Sequence, residues 1–549
     1  MKYTQLHLTG IFLNKKINTK YEYNNNVKVK VILLSILKDE LLKEIEEFRA
    51  LGYKFLNGEV TVMEFKHASG GMGVYAERSR NTFMVRLRIP SGITDVEELR
   101  WICSTAEKYS INKMHFTTRE AIQLHNLSID DVCDIMKEAL EHNIYTRGAG
   151  GNYPRNVAMS PLAGVDKFEA FDVTPYALAV NNYFLKRITS YKLPRKLKVS
   201  FSSSNMDAGH CNITDLGFLA VIKDDKKYFK VYLGGGLGQN PRVGVELGEL
   251  INPSEVLYHV EAMTQMFIAE GDYNNRARAR IRYILDRMGK EEFINCYKKY
   301  LAKVKESEDL TLNLEPHIIS KEGIETQVKS NRLIEQKQKG LYSVYFHPIG
   351  GQILISTLNR ILDLIENMKD ISIRLTMTEG MYIRNLNGDE AQKVLKETEN
   401  LGAKTHLEES VSCIGVPICQ IGLLESQKTL NEIISYFKEK NYTKDVLPRI
   451  HISGCGNSCG IHEACLIGLT GRKKKVEDEL QDTFELHING SFEDGNARLG
   501  KIYGQILAKE IPRFLYELAL LVESKNINFQ DFVENNEDEF QELVDKYKK

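Results

Sequence analysis

Four of the nine cysteines fall in two short stretches near the C-terminal end. Val411-Ser-Cys413-Ile-Gly-Val-Pro-Ile-Cys419 spaces two thiols as C-x5-C. Some thirty-five residues later, His451-Ile-Ser-Gly-Cys455-Gly-Asn457-Ser-Cys459-Gly460 spaces two more as C-x3-C. Four convergent thiolates suit a cubane iron–sulfur cluster or a structural zinc. Zinc sites favour tighter C-x2-C knuckles, so the spacing favours iron and sulfur. Buried free cysteines are the plain alternative, and two pairs set in Gly-rich loops argue against it. Pro417 and the neighbouring glycines favour loops in which backbone approaches a cluster closely. If 454–460 opens a helix, Cys455 and Cys459 share one face of it. Cys465 would point elsewhere on that helix and reads as a buried structural thiol.

A second set of chemistry-bearing residues is cationic, and each member sits in a recognisable element. Phe83-Met-Val-Arg86-Leu-Arg88-Ile reads as a strand of alternating apolar and basic positions, stopped by Pro90 and Gly92. A helix over 95–109 follows, then a strand pattern from Met114 through Arg119 and His125 to Leu127, then a helix over 129–142. The same order recurs later: Tyr345-Phe-His-Pro-Ile-Gly-Gly, a helix over 353–368, and a strand pattern from Ile373 through Glu379 to Leu386. This faint duplication predicts two halves related by pseudo-twofold symmetry, with a ligand where they meet. Between the repeats, Gly148-Ala-Gly-Gly-Asn-Tyr-Pro-Arg155 is a loop presenting an arginine. In Leu193-Pro-Arg195-Lys196-Leu-Lys198 the two lysines alternate and share one strand face. Gly234-Gly-Gly-Leu-Gly238 fits neither phosphate-loop pattern and reads as a tight turn or a close cofactor approach. The arginines at 276, 278, 280 and 282 read by default as a solvated basic face, and 303–335 as a polar linker.

At 549 residues the chain is long enough for two or more domains, and its 42% hydrophobic content is ordinary for a globular protein. No apolar run is long enough to cross a bilayer, and the first ten residues lack the apolar segment of a signal peptide. Nine cysteines without a secretion signal read as reduced thiols or ligands, which predicts a cytoplasmic location. A net charge of −1 implies no general affinity for nucleic acid or membrane.

Together these residues resemble the siroheme-dependent sulfite and nitrite reductases, from about Phe65 to about Leu520. The C-x5-C and G-C-x-N-x-C-G pair is similar to that family's signature for a 4Fe-4S cluster coupled to siroheme. The resemblance implies an α/β (α+β) fold: an internally duplicated, pseudo-twofold architecture of ferredoxin-like repeats and siroheme/Fe-S halves. It implies an N-terminal segment at 1–60, repeats at 61–143 and 336–398, and halves at 144–335 and 399–549. Cys413, Cys419, Cys455 and Cys459 would hold the cluster, Cys459 would bridge to siroheme iron, and Asn457 would lie against the macrocycle. Arg119, His125 and Arg195 would contact siroheme, while Arg86, Arg155, Lys196 and Lys198 would surround the anion. A pocket for a carboxylate-rimmed macrocycle and an anionic substrate needs such fixed cations.

The implied activity is the six-electron reduction of sulfite to sulfide, with nitrite reduction to ammonia as the alternative. His125, where nitrite reductases tend to carry Arg, and Lys198, where plant-type nitrite enzymes carry Asn, lean toward sulfite. Thr376-Met-Thr-Glu379-Gly380 departs from the family's Thr-x-x-Gln-Asn, so no binding role is carried onto Glu379. No flavin or nicotinamide fingerprint occurs, so electrons would come from a separate ferredoxin-type protein or flavoprotein subunit, docked for instance at 276–282. The rival from another class is a non-catalytic metal protein whose four cysteines bind zinc or a structural cluster and whose basic residues bind an anion or nucleic acid.

Overall fold

The computed structural model describes residues 27–549 apart from 316 and 317, with side chains from Leu37 onward. The extreme N-terminus, read above for a signal peptide, lies outside these residues. The helix Val27–Leu56 places Leu37, Leu41, Ile45, Phe48 and Phe55 on one buried face, a helical period. Arg49 on its flank donates to Asp130 and Asp134, which ties it to the helix Ile129–Glu141.

Among the described residues, four five-stranded sheets carry the fold. The first runs Val74–Ala76, Phe83–Arg88, Ala121–Leu127, Lys113–Phe116 and Gln352–Leu354. The second runs Leu333–Glu335, Leu341–Phe346, Met381–Asn387, Ser372–Leu375 and Ile93–Thr94. Each expected long strand is therefore a hairpin, folded at 117–120 and at 376–380, where Glu120 and Glu379 both take a positive φ. The last strand of each sheet comes from the other repeat: Ile353 pairs with Met114, and Thr94 pairs with Ile373. The two repeats are thus locked by exchange. Capping boxes start the helix that follows each hairpin, Ser128 with Asp131 and Asn387 with Glu390. Leu333–Glu335 starts the second repeat slightly before residue 336.

The other two sheets form a second duplication, one in each of the two halves that the resemblance implies. Ala158–Met159, Val199–Ser202 and Leu216–Lys223 run parallel, and Lys226–Leu233 and Val245–Glu246 turn back antiparallel. Val411–Ser412, Ile450–Ser453 and Ile467–Val476 repeat the parallel triplet, and Glu479–Ile488 and Lys501–Leu507 the antiparallel pair. One large apolar core spans residues 37–395 and a second spans 407–547. A small cluster of Ala158, Ile213, Met377, Ile461 and Ala464, capped by Leu237 and Phe492, joins the halves. The 303–335 segment is helical to Ser307 and then lies on the surface, anchored by buried Leu310 and Leu312. Among the described residues no helix is long and apolar enough to cross a membrane.

Candidate active site

A cavity of about 810 Å³ opens where the hairpin turns face the two parallel triplets. Its walls include Arg86, Arg119, His125, Arg155, Arg195, Lys196, Lys198, Cys413, Cys419, Cys455, Asn457 and Cys459. Every candidate residue from the sequence therefore faces one space, drawn from the first repeat and both halves, and the second repeat adds Met377 and Glu379.

The cysteines reach it on loops. Residues 454–460 do not form the expected helix, because Ser458 and Ile461 take positive φ of 54° and 65°, outside helical space. Cys413 Sγ accepts from the Gly454 N–H at 3.2 Å, and Asn457 Nδ2 donates to Cys455 Sγ at 3.3 Å. The Cys459 carbonyl accepts from Thr118 Oγ1 at 2.8 Å, which ties the loop to the first hairpin turn. Burial, then the proximity of Cys419 and Cys455, pushes the Cys459 thiol up to about 11. Cys413 and Cys419 are raised as well, again first by burial. A site that raises three thiols, Cys413, Cys419 and Cys459, is relieved by a cationic core. Among the described residues no three His, Cys, Asp or Glu side chains converge tightly enough for a single metal ion. The four thiols line the same cavity, a donor set that suits an iron–sulfur cluster. Cys465 stands apart and buried, its thiol donating to the carbonyls of His462 and Ile467.

The cations are held by backbone carbonyls and by a few acids. Arg86 Nη1 donates to the Ala149 carbonyl at 3.0 Å, and its Nε and Nη2 face the Gln123 side-chain oxygen. Arg119 Nη2 donates to the carbonyls of Asn156 and Val199. Arg155 donates to those of Ala149 and Gly151. Lys196 and Lys198 flank buried Leu197, whose backbone pairs with Pro154, just before the strand Val199–Ser202. Burial, then Arg119 and Arg280, brings the Lys198 ammonium down to about 7. Lys196 is lowered too, by burial and then by Lys198. His125 Nδ1 lies 3.0 Å from Glu77 Oε1, and the same oxygen accepts from the Asn126 N–H.

The arginine run at 276–282 is not a solvated face. Arg276 and Arg278 are exposed, but Arg280 is buried and grips Asp215 at 2.8 and 2.9 Å. Arg282 is buried on the carbonyls of Leu237 and Gln239. Asp215 also accepts from the Lys198 N–H at 2.8 Å, so Arg280 belongs to the support of the lysine pair. Gly234-Gly-Gly-Leu-Gly238 is a tight turn whose Gly238 N–H reaches Glu463 across the halves at 2.9 Å. Sequence reasoning also missed Tyr75, Glu77, Thr118, Asp215 and Glu463, because each acts through a partner far away in the chain. One signal was available: Val199-Ser-Phe-Ser and Ile450-His-Ile-Ser, each followed by a Gly and a second apolar strand, mark the second duplication.

The comparisons with known proteins agree with this architecture. A family model of the nitrite/sulfite reductase ferredoxin-like half domain matches residues 75–142 and 334–401. A model of the nitrite and sulphite reductase 4Fe-4S domain matches residues 150–305. The chain belongs to the nitrite and sulfite reductase family. A ferredoxin–nitrite reductase of Leptolyngbya laminosa is 25% identical over 465 residues, 81% of this chain and 87% of that one. A sulfite reductase (ferredoxin) 2 of Mycolicibacterium paratuberculosis is 26% identical over 419 residues, 74% of this chain and 73% of that one. The solved structure of Mycobacterium tuberculosis NirA shares the fold, with a TM-score of 0.73 and 22% identity over 86% of this chain and 90% of that one.

This member of the nitrite and sulfite reductases is accordingly an oxidoreductase that uses siroheme and a 4Fe-4S cluster. Its cavity fits both. The four thiols line it, and beside them Arg119 Nε, Arg155 Nε, His125 Nε2, His115 Nδ1 and His210 Nδ1 are buried without a partner among the described residues. Polar atoms left so inside a protein call for a ligand, and a carboxylate-rimmed macrocycle supplies acceptors for the arginine donors. The 4Fe-4S domain match covers the half that lacks the four cysteines; those lie in the other copy.

Proposed function

We propose that this enzyme reduces sulfite to sulfide, taking up six electrons and eight protons for each hydrogen sulfide and three waters formed. Cys413, Cys419, Cys455 and Cys459 would hold the cluster, with Cys459 shared with siroheme iron and Asn457 beside the macrocycle. Arg119, His125 and Arg195 would hold siroheme carboxylates. When bound, the paired cofactors supply single electrons to the substrate's central atom. Arg86, Arg155, Lys196 and Lys198 would grip the substrate oxygens and neutralise their charge.

The observation that carries the sulfite reading is the half-buried Lys196–Lys198 pair, which lines the cavity beside two arginines. Buried like charges cost energy until an anion offsets them, and a dianion does so better than a monoanion. Lys198, at about 7, can hold a proton for binding and release it as an oxygen leaves. His125, fixed by Glu77, stands where nitrite reductases tend to carry Arg. Nitrite is the second reading, favoured by relatives named as ferredoxin–nitrite reductases. Those names also support a ferredoxin-type protein as the separate electron donor, and the nine free cysteines support a cytoplasmic location.

The test is turnover of anaerobically prepared holoenzyme with a reduced ferredoxin-type donor, comparing sulfite and nitrite by kcat/KM. The expected result is a higher value for sulfite. A higher value for nitrite would keep the site and overturn the substrate.

A further inference from the structure

Reduction of an oxyanion needs an acid as well as electrons. Each oxygen that leaves breaks one bond to sulfur or nitrogen and departs as water, taking two protons, while the external donor supplies two electrons. The arginines facing the cavity orient an anion well, but a guanidinium is a poor proton donor. Lys198 can give one proton, and each departing oxygen takes two, so a second directed, transferable proton is needed near them.

Tyr75 is such a group. It lies in the edge strand Val74–Ala76, paired with Met84. Val74 and Ala76 point into the core, so strand alternation sends Tyr75 to the opposite face, where it lines the cavity. Its hydroxyl oxygen accepts from the Gly151 N–H at 3.0 Å. The seat is built of glycines: a Cβ at Gly150 would stand 2.5 Å from that oxygen, and one at Gly70 would stand 3.3 Å from it. Two chain segments therefore close around the phenol oxygen, the one at Gly150 nearer than a side chain would permit and the one at Gly70 in a tight contact. Among the described residues no acceptor takes the phenolic proton, so it is free for a ligand in the cavity.

The charged surroundings suit an acid whose conjugate base must be tolerated. Arg86, from the neighbouring strand, has its guanidinium carbon 6.0 Å from the Tyr75 ring centre. Arg155 and Arg195 come from the loops opposite, and Lys66 faces the ring from the helix Val62–Met72. Burial alone would raise the phenol; Arg155, Arg86, the Gly151 N–H and Arg195 outweigh it and bring it below the usual tyrosine value.

We infer that Tyr75 is a catalytic acid of this cavity, giving its phenolic proton to a departing oxygen of the bound oxyanion and regaining a proton from water. The O–H bond of Tyr75 breaks as an O–H bond forms on the leaving oxygen. The phenolate is held meanwhile by the Gly151 N–H and the arginines. The inference rests on the reading that the cavity reduces an oxyanion, and holds for sulfite or nitrite alike.

The experiment uses holoenzyme of Tyr75→Phe and of protein carrying 3,5-difluorotyrosine at position 75. Three readouts are taken: binding of nitrite followed by visible absorbance, the solvent deuterium isotope effect, and kcat against pH. In Tyr75→Phe, absorbance and nitrite binding should be retained while kcat falls about a hundredfold or more, as for loss of a general acid, with a smaller isotope effect. In the fluorinated protein, the alkaline limb of the kcat profile should move down in pH with the lower phenol pKa. A Tyr75→Phe enzyme that turns over like the parent, or a fluorinated enzyme whose limb stays in place, would overturn the assignment. If the parent reduces neither anion, the functional reading fails instead, and the nitrite-binding arm shows whether the anion site survives.

Discussion

Residues 203–213 and 454–464 follow the same path through space and carry different chemistry. Each leaves a parallel strand that ends in serine, Ser202 or Ser453, and that hydroxyl accepts from a glycine N–H seven residues on, Gly209 or Gly460. Each turns at matched positive φ, Asp207 and His210 in one, Ser458 and Ile461 in the other, and closes in a short 3-10 turn. On this register Ser204 and Ala208 stand where the other loop has Cys455 and Cys459. Asp207, where the other loop has Ser458, turns its carboxylate onto Ser202 and the N–H groups of Cys211 and Asn212. One copy satisfies its own backbone; the other leaves its thiols for a ligand. The lesson is that backbone duplication makes two possible cluster sites, and side chains select one.

That comparison can be broken most decisively by exchanging the distinguishing residues. Cys459→Ala should remove siroheme–cluster coupling and drop turnover below detection, with loss of the visible spectrum of the coupled pair. Ala208→Cys should leave iron content and activity at the parent level. Equal consequences for both, measured by iron analysis and absorbance, would erase the distinction.

The two loops also reach across to each other's half, and the contacts differ in kind. Glu463 accepts from Gly238 N–H and from the Ser458 hydroxyl, whereas the side chain of Asn212, its counterpart, donates to the Phe492 carbonyl at 2.7 Å. Glu463→Ala should therefore cost about 10–100-fold in activity, as for outer-shell partners of metal ligands, and shift the cluster's reduction potential. Asn212→Ala should cost about 1 kcal/mol of stability with the potential unchanged. Equal potentials in the two variants would remove Glu463 from the cluster's support.

Anion binding sharpens the contrast further, since the lysine pair belongs only to the first half. With Lys198 at about 7, its charge is present below that pH and lost above it. Sulfite affinity should hold below pH 7 and weaken above it by up to about tenfold per unit, the worth of one proton. Lys198→Met should bind weakly and flatten that dependence, read by spectroscopic titration.

The smallest effect concerns the two hairpin acids, Glu120 and Glu379, which accept respectively from the N–H groups of Met159 and Ser412. Burial pushes Glu120 up to about 8, against the opposing pull of Arg119 and the Met159 N–H. The folded state then holds more protons than the unfolded one between the ordinary carboxyl range and pH 8, so stability falls as pH rises across that window. Glu120→Gln should flatten the fall of Tm between pH 5 and 8 while keeping activity. An unchanged slope would show that Glu120 is not the group responsible.

Much of this was legible in the chain alone. The C-x5-C and C-x3-C spacing, the alternation around Arg86, the Lys-x-Lys pair and the first duplication are local patterns, and local patterns survive without coordinates. Other features were not legible, because burial and partnership depend on residues distant in sequence. The arginines at 276–282 alternate evenly, yet two are solvated while Arg280 and Arg282 are buried on Asp215 and on loop carbonyls. Glu77 orients His125 from 48 residues away, and Tyr75 owes its setting to glycines on two separate segments. The order of residues determined which groups could bind sulfur, iron and anions. Only tertiary packing decided which of those groups are buried and which partners they meet, as for Arg280 on Asp215 and Tyr75 against Gly151, since those partners lie far away in the sequence.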